Sequence, residues 1–331
     1  MKKILLLIAS AFLLASCTKK NEDEKALKVY SIIHEEEMRA LAELFTRQTG
    51  IPVTFMRSST GEIMNRVIVE KDNPSADVLF GGASSYHIQA DREGALEVYA
   101  SPLAASVPQY AKSDDNTWTG FCVLTLGIGV NSAQYEKKFP SVPLPSNWDD
   151  LLNPAYKGEI VATNPVSSST AYIFLQNQLQ RLGWDAVWEY LAKFAPLVGQ
   201  FPDSGSTPSK LVGTGEYVLG VSYVHALEKY RSQGFDVKVI VPPKTAADVD
   251  CISILKNSKN LPAAKKFVDF MLGKEAQELM SSIDFTIPVN VDAKGVEGST
   301  PLSELDVIDY DTEKASEQKN DVLSRWSKLV K

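Results

Sequence analysis

Apolar runs of strand length alternate with amphipathic stretches along most of this chain. Residues 28–33 form one such run, and residues 35–49 then carry apolar side chains at helical spacing up to Gly50. The next predicted elements are strands at 52–56 and 76–80, with a helix at 59–70 between them. The dipeptide Gly81-Gly82 is predicted to break the third strand. This β-α-β-α-β order indicates a mainly parallel sheet covered by helices.

The same alternation continues to the end of the chain. Further strands are predicted at 158–162, 217–223, 237–241 and 250–255, and further helices at 171–182, 184–194, 208–214, 262–272, 274–282 and 312–330. Two stretches, near residues 122–129 and 239–251, are predicted to cross between two lobes, so that the second lobe is inserted into the first. The predicted fold class is therefore α/β. It has two lobes, each a mixed, mainly parallel sheet covered by helices, with a ligand cleft between them.

Length and composition agree with two lobes. The chain has 331 residues, which is too long for one ordinary core, and it is 44% hydrophobic and 23% charged, as globular proteins are. The predicted domains are a signal at 1–16, a tether at 17–27, a first lobe at 28–123 and 250–300, an inserted second lobe at 124–249, and a C-terminal helical tail at 301–331.

The N-terminus carries the pattern of a secretory signal. Lys2 and Lys3 precede an apolar run at 4–15, which at about 12 residues is shorter than the roughly 20 that a membrane span needs. The run ends in Leu-Ala-Ser-Cys, which resembles a bacterial lipobox. This resemblance implies that Cys17 becomes the acylated first residue of the mature chain. The expected location is the periplasm or cell surface, with the protein held to a membrane by its lipid.

Charge and residue counts exclude several classes of partner. The formal net charge is −7, and lysine and arginine form no basic block, so nucleic acid is not an expected partner. The chain has three histidines, which are scattered, and three cysteines. Cys17 is assigned to the lipid, so we predict no zinc site. No cofactor is predicted, and a monomer is expected.

The two remaining cysteines lie in strand-like runs. Cys122 follows Phe121, and Cys251 precedes Ile252. An oxidising compartment favours a disulfide between such a pair, while two buried free thiols are the alternative. The sequence gives no distance between them, so both possibilities stay open.

Three hydroxyl-rich segments precede predicted helices. They contain the candidate ligands Ser58, Ser59 and Thr60, then Ser168, Ser169 and Thr170, and then Ser206 and Thr207. The N-terminus of a helix presents free backbone N–H groups and the positive end of its dipole, and adjacent hydroxyls add donors. Each segment alone would be an ordinary helix cap. Together, across two lobes, they predict a site for a phosphate-like anion.

Motifs along nearly the whole mature chain resemble those of one transport family. They are the opening around Tyr30, the stretches 49–53, 57–62 and 76–82, the tripeptide 156–158, the dipeptide 215–216 and the helix 263–270. Their order and spacing resemble the solute-binding proteins of bacterial ABC importers, in the ferric-ion-binding group and its hexose-phosphate- and phosphonate-binding relatives. The resemblance implies a periplasmic-binding-protein clamshell that closes on a small solute and delivers it to an ABC permease.

The resemblance leaves the ligand open. The ferric-ion binders hold iron with a tyrosine pair, a histidine and an acid. His34 and Tyr223 match that set, but Gly82 stands where an acid is expected and His225 follows only one tyrosine. The relatives that bind phosphorylated solutes carry a histidine near His225 and an acid near Asp250. A hexose phosphate or phosphonate is therefore the predicted ligand, and iron held by His34 and Tyr223 is the alternative.

Functions of other classes have weaker support in this sequence. No paired carboxylates, Gly-x-Ser-x-Gly elbow, Cys–His pair or phosphate loop with its lysine occurs in this sequence, so an enzyme is not predicted. A cell-envelope phosphatase is therefore the weaker alternative. A subunit that senses a ligand and presents the closed clamshell to a signalling partner would have the same sequence features.

Overall fold

Two antiparallel strands, β5 (Thr119–Asn131) and β10 (Ala247–Leu255), lie side by side at the centre of an 11-stranded mixed sheet. The computed structural model describes residues 26–297, 299 and 301–330. β5 belongs to both halves of the sheet, because residues up to Thr125 pair with β10 and residues from Leu126 pair with β8 (Leu219–Tyr223). We call the two halves, with their helices, the first and the second lobe.

The first lobe is built on parallel strands beside β10. Their order is β2-β1-β3-β10, with β3 antiparallel to β10, and two short strands, β4 and β11, add to β10 and β5. The strands are β1 (Leu27–Ser31), β2 (Val53–Arg57), β3 (Val78–Ala83), β4 (Leu96–Glu97) and β11 (Ile287–Pro288). The helices are α1 (Glu35–Thr49), α2 (Thr60–Val69), α3 (Ser84–Arg92), α9 (Leu261–Leu272) and α10 (Lys274–Asp284).

The second lobe extends the sheet from the other part of β5. β8 is antiparallel to β5 and parallel to β6, which continues to β7, while β9 pairs with β5 alone. The strands are β6 (Ile160–Val161), β7 (Val198–Gln200), β8 (Leu219–Tyr223) and β9 (Val237–Ile240). The helices are α4 (Ser132–Lys138), α5 (Ser169–Leu182), α6 (Trp184–Phe194), α7 (Thr207–Gly213) and α8 (Val224–Ser232).

The C-terminal tail contacts both lobes. It contains α11 (Thr312–Glu317) and α12 (Lys319–Leu329), where the sequence predicted one continuous helix. The hydroxyl of Tyr172 in the second lobe donates to the carbonyl of Ala315, and Lys319 Nζ donates to Gln89 Oε1 of the first lobe at 2.7 Å. The tail therefore bridges the two lobes. The predicted domain boundaries themselves remain a prediction.

Most predicted strands lie within a few residues of the observed ones, but one expected break is wrong. Gly81 and Gly82 continue β3, with φ angles of 88° and 91°. A Cβ on Gly81 would lie 2.8 Å from the side chain of Ile33, and one on Gly82 would lie 2.9 Å from that of Ile32. The turn after β1 passes so close to β3 that only glycine fits, and the strand continues because its partner β10 still pairs with it.

Hydrophobic side chains from both lobes form one continuous core across the sheet. Phe80 of β3 stacks on Phe121 of β5 with ring centroids 4.6 Å apart, so the central strands are packed as well as hydrogen-bonded. Among the described residues, no helix is long and apolar enough to cross a membrane.

Candidate functional site

A cavity of about 70 Å³ lies between the two lobes. The first lobe lines it with the turns before α1 and α2, and the second lobe with the starts of α5 and α8 and the loop at 203–206. A cavity of this size holds several water molecules or the head group of a small solute. Predicted site residues that line it are His34, Ser58, Ser59, Thr60, Ser168, Ser169, Thr170, Ser206, Tyr223, His225 and Asp250.

The start of α2 is an ordinary cap that also faces the cavity. Ser59 is the N-cap, and its hydroxyl accepts from the backbone N–H of Glu62 at 3.4 Å. The Ser58 hydroxyl donates to the Glu62 carboxylate. Thr60, which is buried, turns its hydroxyl toward the other lobe and donates to Ser169 Oγ at 3.3 Å. The Ser58 and Ser59 hydroxyls therefore bond within the first turn of α2, whereas the Thr60 hydroxyl reaches across the cleft to the second lobe.

The start of α5 is different, because its N-cap serine does not cap. Ser168 is buried, and its hydroxyl makes no hydrogen bond within the described part of the chain. The helix begins at Ser169, two residues earlier than predicted, so Ser169 and Thr170 lie in its first turn. The first backbone N–H groups of a helix have no partner within it, and the first intrahelical donor here is Tyr172. A buried free hydroxyl beside these N–H groups is a binding arrangement for an anion.

The third hydroxyl-rich segment reaches the cavity only in part. Ser206 lines it, and its hydroxyl lies 3.1 Å from that of Ser204, but Thr207 is not among the lining residues. Gly205 was not predicted, and it brings this loop against α5. A Cβ on Gly205 would lie 2.4 Å from Thr170 Oγ1 and 3.0 Å from Ser168 Oγ. The glycine therefore leaves room in front of both hydroxyls.

Tyr223 and His225 stand together where β8 leads into α8. Their rings lie 5.3 Å apart, and both side chains line the cavity. Burial raises the pKa of Tyr223 and lowers that of His225 to about 4, so both side chains are neutral at pH 7. The hydroxyls of Ser169 and Thr170 lie near the Tyr223 hydroxyl and oppose its shift, although no hydrogen bond of normal geometry joins them.

The first lobe contributes His34 and Asp250 to the same space. Burial lowers the pKa of His34, and burial, reinforced by Asp248, raises that of Asp250 to about 7. The backbone N–H of Gly82 opposes this rise in the pKa of Asp250, and Gly82 itself is not among the residues that line the cavity. A carboxyl group that is partly protonated near neutral pH can either accept from or donate to a ligand.

Asp284 is a site residue that the sequence did not indicate. It is the last residue of α10, lines the cavity, and is 3% exposed. Burial, with the carboxylate of Glu37 nearby, raises its pKa to about 7. Its Oδ2 lies 3.4 Å from His225 Nε2 across the cleft. A lone aspartate at the end of a helix carries no motif, so only the fold reveals its position.

The structure also shows the state of the two cysteines and how the possible metal ligands are arranged. Cys122 and Cys251 are both buried free thiols, which decides between the two alternatives that the sequence left open. Burial raises the pKa of both thiols. The described part of the chain holds no group of three or more His, Cys, Asp or Glu side chains arranged to bind a metal ion. Cys17, the predicted lipid attachment site, lies outside the described residues.

Comparisons with known proteins agree with this geometry. The profile of the family described as "Bacterial extracellular solute-binding protein" matches residues 73–314. An uncharacterised protein of Haemophilus influenzae is 31% identical over 310 residues, covering 91% of this chain and 88% of that protein. The structure of the periplasmic binding protein P5PA superimposes with a TM-score of 0.87 at 34% identity, covering 92% of this chain and 99% of its own.

A second solved structure is reported with a ligand. The periplasmic binding protein AfuA of Actinobacillus pleuropneumoniae, with exogenous fructose 6-phosphate bound, superimposes with a TM-score of 0.89 at 30% identity and covers 92% of this chain and 98% of its own. These likenesses confirm the predicted two-lobe α/β clamshell.

Two more distant relatives are named for other ligands. A periplasmic protein of Salmonella typhimurium whose name assigns it to 2-aminoethylphosphonate binding is 25% identical over 305 residues, covering 88% of this chain and 86% of that protein. A Fe(3+)-binding periplasmic protein of Serratia marcescens is 24% identical over 325 residues, covering 95% and 93%.

Proposed function

Because this chain belongs to the bacterial extracellular solute-binding proteins, the periplasmic receptors of ABC importers, we propose that its solute is a small phosphorylated organic molecule. The family membership confirms the resemblance seen in the sequence motifs. The proposed solute is a hexose phosphate or a phosphonate, held by closure of the two lobes and handed to the permease. The protein binds this solute and does not alter it.

One observation carries the proposal. Two hydroxyl-bearing helix starts, one from each lobe, face a single cavity and meet there through Thr60 and Ser169. The Ser168 hydroxyl and the first N–H groups of α5 supply donors without a formal positive charge. Such a site suits a phosphoryl group, because a phosphate has several acceptor oxygens and few donors.

The other side of the cavity suits the organic part of the solute. Asp250 and Asp284 can accept from hydroxyl or amino groups, and the His225 ring offers an Nδ1 that makes no hydrogen bond within the described residues. Because burial raises the pKa of both carboxyl groups to about 7, each is partly neutral at pH 7 and repels a nearby phosphate less. The site thus has an anion end at the starts of α2 and α5 and an acceptor end at Asp250, Asp284 and His225.

The relatives support this choice of ligand. The AfuA structure has fructose 6-phosphate bound, and the Salmonella relative is named for a phosphonate. Both proteins are similar to this chain over most of its length. Iron is the alternative through the Serratia relative, and it would rest on Tyr223 and His34.

Attachment to a membrane is part of the proposal. We propose that Cys17 is acylated after signal cleavage, which would hold the receptor beside its permease. Mass spectrometry of the mature N-terminus tests this, and Cys17→Ser is the control. A mature chain that begins elsewhere and carries no lipid would contradict the anchor but leave the ligand proposal intact.

The ligand proposal is tested with purified protein and four probes. Titration calorimetry with fructose 6-phosphate, 2-aminoethylphosphonate, inorganic phosphate and ferric citrate is run beside a visible-absorption scan. We expect binding of a phosphorylated organic probe, its recovery unchanged by mass spectrometry, and no phenolate-to-iron band. Iron binding that is lost in Tyr223→Phe, with no binding of either organic probe, would overturn the proposal in favour of iron.

A further inference from the structure

A lysine of the second lobe reaches across the mouth of the cleft into a group of carboxylates of the first. Lys229 Nζ lies 2.6 Å from Glu37 Oε1, 2.9 Å from Glu36 Oε2 and 3.6 Å from Asp284 Oδ1. Lys229 belongs to α8, whereas the three acids belong to α1 and α10. Every one of these ion pairs therefore joins one lobe to the other.

Burial separates this group from ordinary surface ion pairs. Glu37 is 0% exposed, and the side chains of Asp284 and Lys229 are 5% and 14% exposed, whereas Glu36 is 70% exposed and lies at the outer edge of the group. By contrast, the Arg39–Glu35 pair on the outer face of α1 is more than half exposed on both sides. Exposed pairs contribute little because water screens them, whereas removing one partner of a buried pair leaves an uncompensated charge.

The group is also connected to the cavity. His225 and Lys229 are four residues apart on α8, so they lie on the same face of the helix. Asp284 contacts both, with His225 Nε2 at 3.4 Å and Lys229 Nζ at 3.6 Å, and Asp284 and His225 line the cavity. A solute in the cavity and the lysine at its mouth therefore share one carboxylate.

We propose that Lys229 is an interlobe latch, a positioning residue that stabilises the closed form of the receptor and slows release of the solute. The inference rests on the proposed function, because it assumes closure on a ligand. With Lys229 in place, its ammonium group holds Glu36, Glu37 and Asp284 against the second lobe. Without it, the fully buried Glu37 carboxylate faces a neutral surface on closure, and the closed form becomes less populated. Apparent affinity falls in proportion to that population.

The test compares Lys229→Met with Lys229→Arg and with Lys210→Met. Lys210 is an exposed lysine on α7 in the same lobe, so its loss matches the change in charge without touching the latch. Lys229→Arg keeps the charge and is expected to restore closure. Stopped-flow mixing with fructose 6-phosphate measures the association and dissociation rates. We expect dissociation at least about fivefold faster in Lys229→Met, and association within about threefold of the parent protein.

A second measurement needs no ligand. Spin labels on Val69→Cys in the first lobe and Leu144→Cys in the second report the distance between the lobes, and the native thiols Cys122 and Cys251 are buried. We expect a wider distance distribution in Lys229→Met than in the parent or in Lys210→Met. Glu37→Gln should widen it too, and combining it with Lys229→Met should add little further.

The outcomes separate this inference from the proposed function. If the parent binds fructose 6-phosphate and Lys229→Met changes neither its dissociation rate nor the label distance, the latch is wrong and the function stands. If neither phosphorylated probe binds, the ligand class is wrong, and the label distances alone decide the latch. Wider distances in Lys229→Met then support the latch, and unchanged distances overturn it.

Discussion

The backbone N–H of Gly61 donates a hydrogen bond of 3.1 Å to the carbonyl oxygen of Ser167. Gly61 lies in the first turn of α2, and Ser167 lies just before the N-cap of α5. The two helix starts that face the cavity are therefore joined directly, main chain to main chain. Under the proposed function, closure of the lobes on a solute depends on how near these two turns can come.

A methyl group at residue 61 should hinder closure selectively. A Cβ on Gly61 would lie 3.0 Å from the carbonyl oxygen of Val166 and 3.3 Å from the Ser167 Cα, so the second lobe would have to retreat slightly. We expect Gly61→Ala to weaken binding of fructose 6-phosphate by roughly 1–3 kcal/mol, the usual cost of overpacking. Alanine is also the better helix former, so thermal stability without ligand should not fall.

Asn65→Ala is the matched control, because Asn65 is an exposed residue on the same helix. Calorimetry gives the affinities and thermal unfolding gives the stabilities. Equal affinities for Gly61→Ala and Asn65→Ala would show that the contact does not limit closure.

Loss of the Ser168 hydroxyl should cost affinity and not stability. The hydroxyl is buried and has no partner within the described residues, so Ser168→Ala removes no internal hydrogen bond. If it donates to the solute, binding should weaken by about 1–3 kcal/mol, and replacing Ser169 and Thr170 together should have an effect of the same size. Calorimetry with fructose 6-phosphate measures this. Ser324→Ala, an exposed serine on α12, is the control, and equal affinities would mean that the anion binds elsewhere.

Stability should respond to pH through two opposing sets of buried groups. Burial raises the pKa of Asp250 to about 7, so this carboxyl favours the folded chain at low pH, and its contribution is lost as pH rises from about 4 to about 7. Burial lowers the pKa of His87 and His225 to about 4, so each of these favours the folded chain above pH 6.5, and that contribution is lost as pH falls toward 4. Between about pH 4 and pH 6.5, the contributions of the carboxyl group and of the histidines to the free energy of unfolding therefore change with pH in opposite directions.

The Asp250→Asn variant should therefore become more stable relative to the parent protein as pH rises from 4 to 7. The expected difference is about 1.4 kcal/mol for each pH unit over which the Asp250 proton is retained only in the folded chain. Urea unfolding at pH 5, 6 and 7 measures it. A difference between variant and parent that stays constant with pH would contradict the raised pKa.

The tail should contribute to stability through Trp326. This side chain is 3% exposed and packs edge-on against Phe201 of the second lobe at 5.4 Å. Trp326→Ala should lower the free energy of unfolding by about 3–5 kcal/mol, the usual loss for a buried aromatic residue. Val330→Ala, at a position 43% exposed, is the control and should change it little. Similar urea midpoints for the two variants would show that the tail is not part of the cooperative fold.

The sequence predicted those helices and strands whose hydrophobic pattern lies within one short segment. The stretch that became α1 shows the reason, because Met38, Leu41 and Phe45 form its buried face and Gly50 ends it in a left-handed turn. The hydroxyl-rich segments were also found, since helix starts have a composition of their own. The positions of these starts were less exact, as the early beginning of α5 shows.

Features that depend on another part of the chain could not be found in this way. Gly205 approaches Thr170 from 35 positions away, and Lys229 reaches Glu37 from 192 away. Neither residue carries a local signal, because an isolated glycine or lysine is ordinary in any sequence. The expected break at Gly81-Gly82 was wrong for a similar reason. A glycine pair usually ends a strand, and here the neighbouring turn requires it within one.

The free state of Cys122 and Cys251 has a consequence for how this protein can be made. With no disulfide between Cys122 and Cys251, the described part of the folded chain is held by non-covalent contacts. Its maturation therefore requires neither a thiol oxidase nor a disulfide isomerase. The same fold should form in the reducing cytoplasm of an expression host as outside the cell.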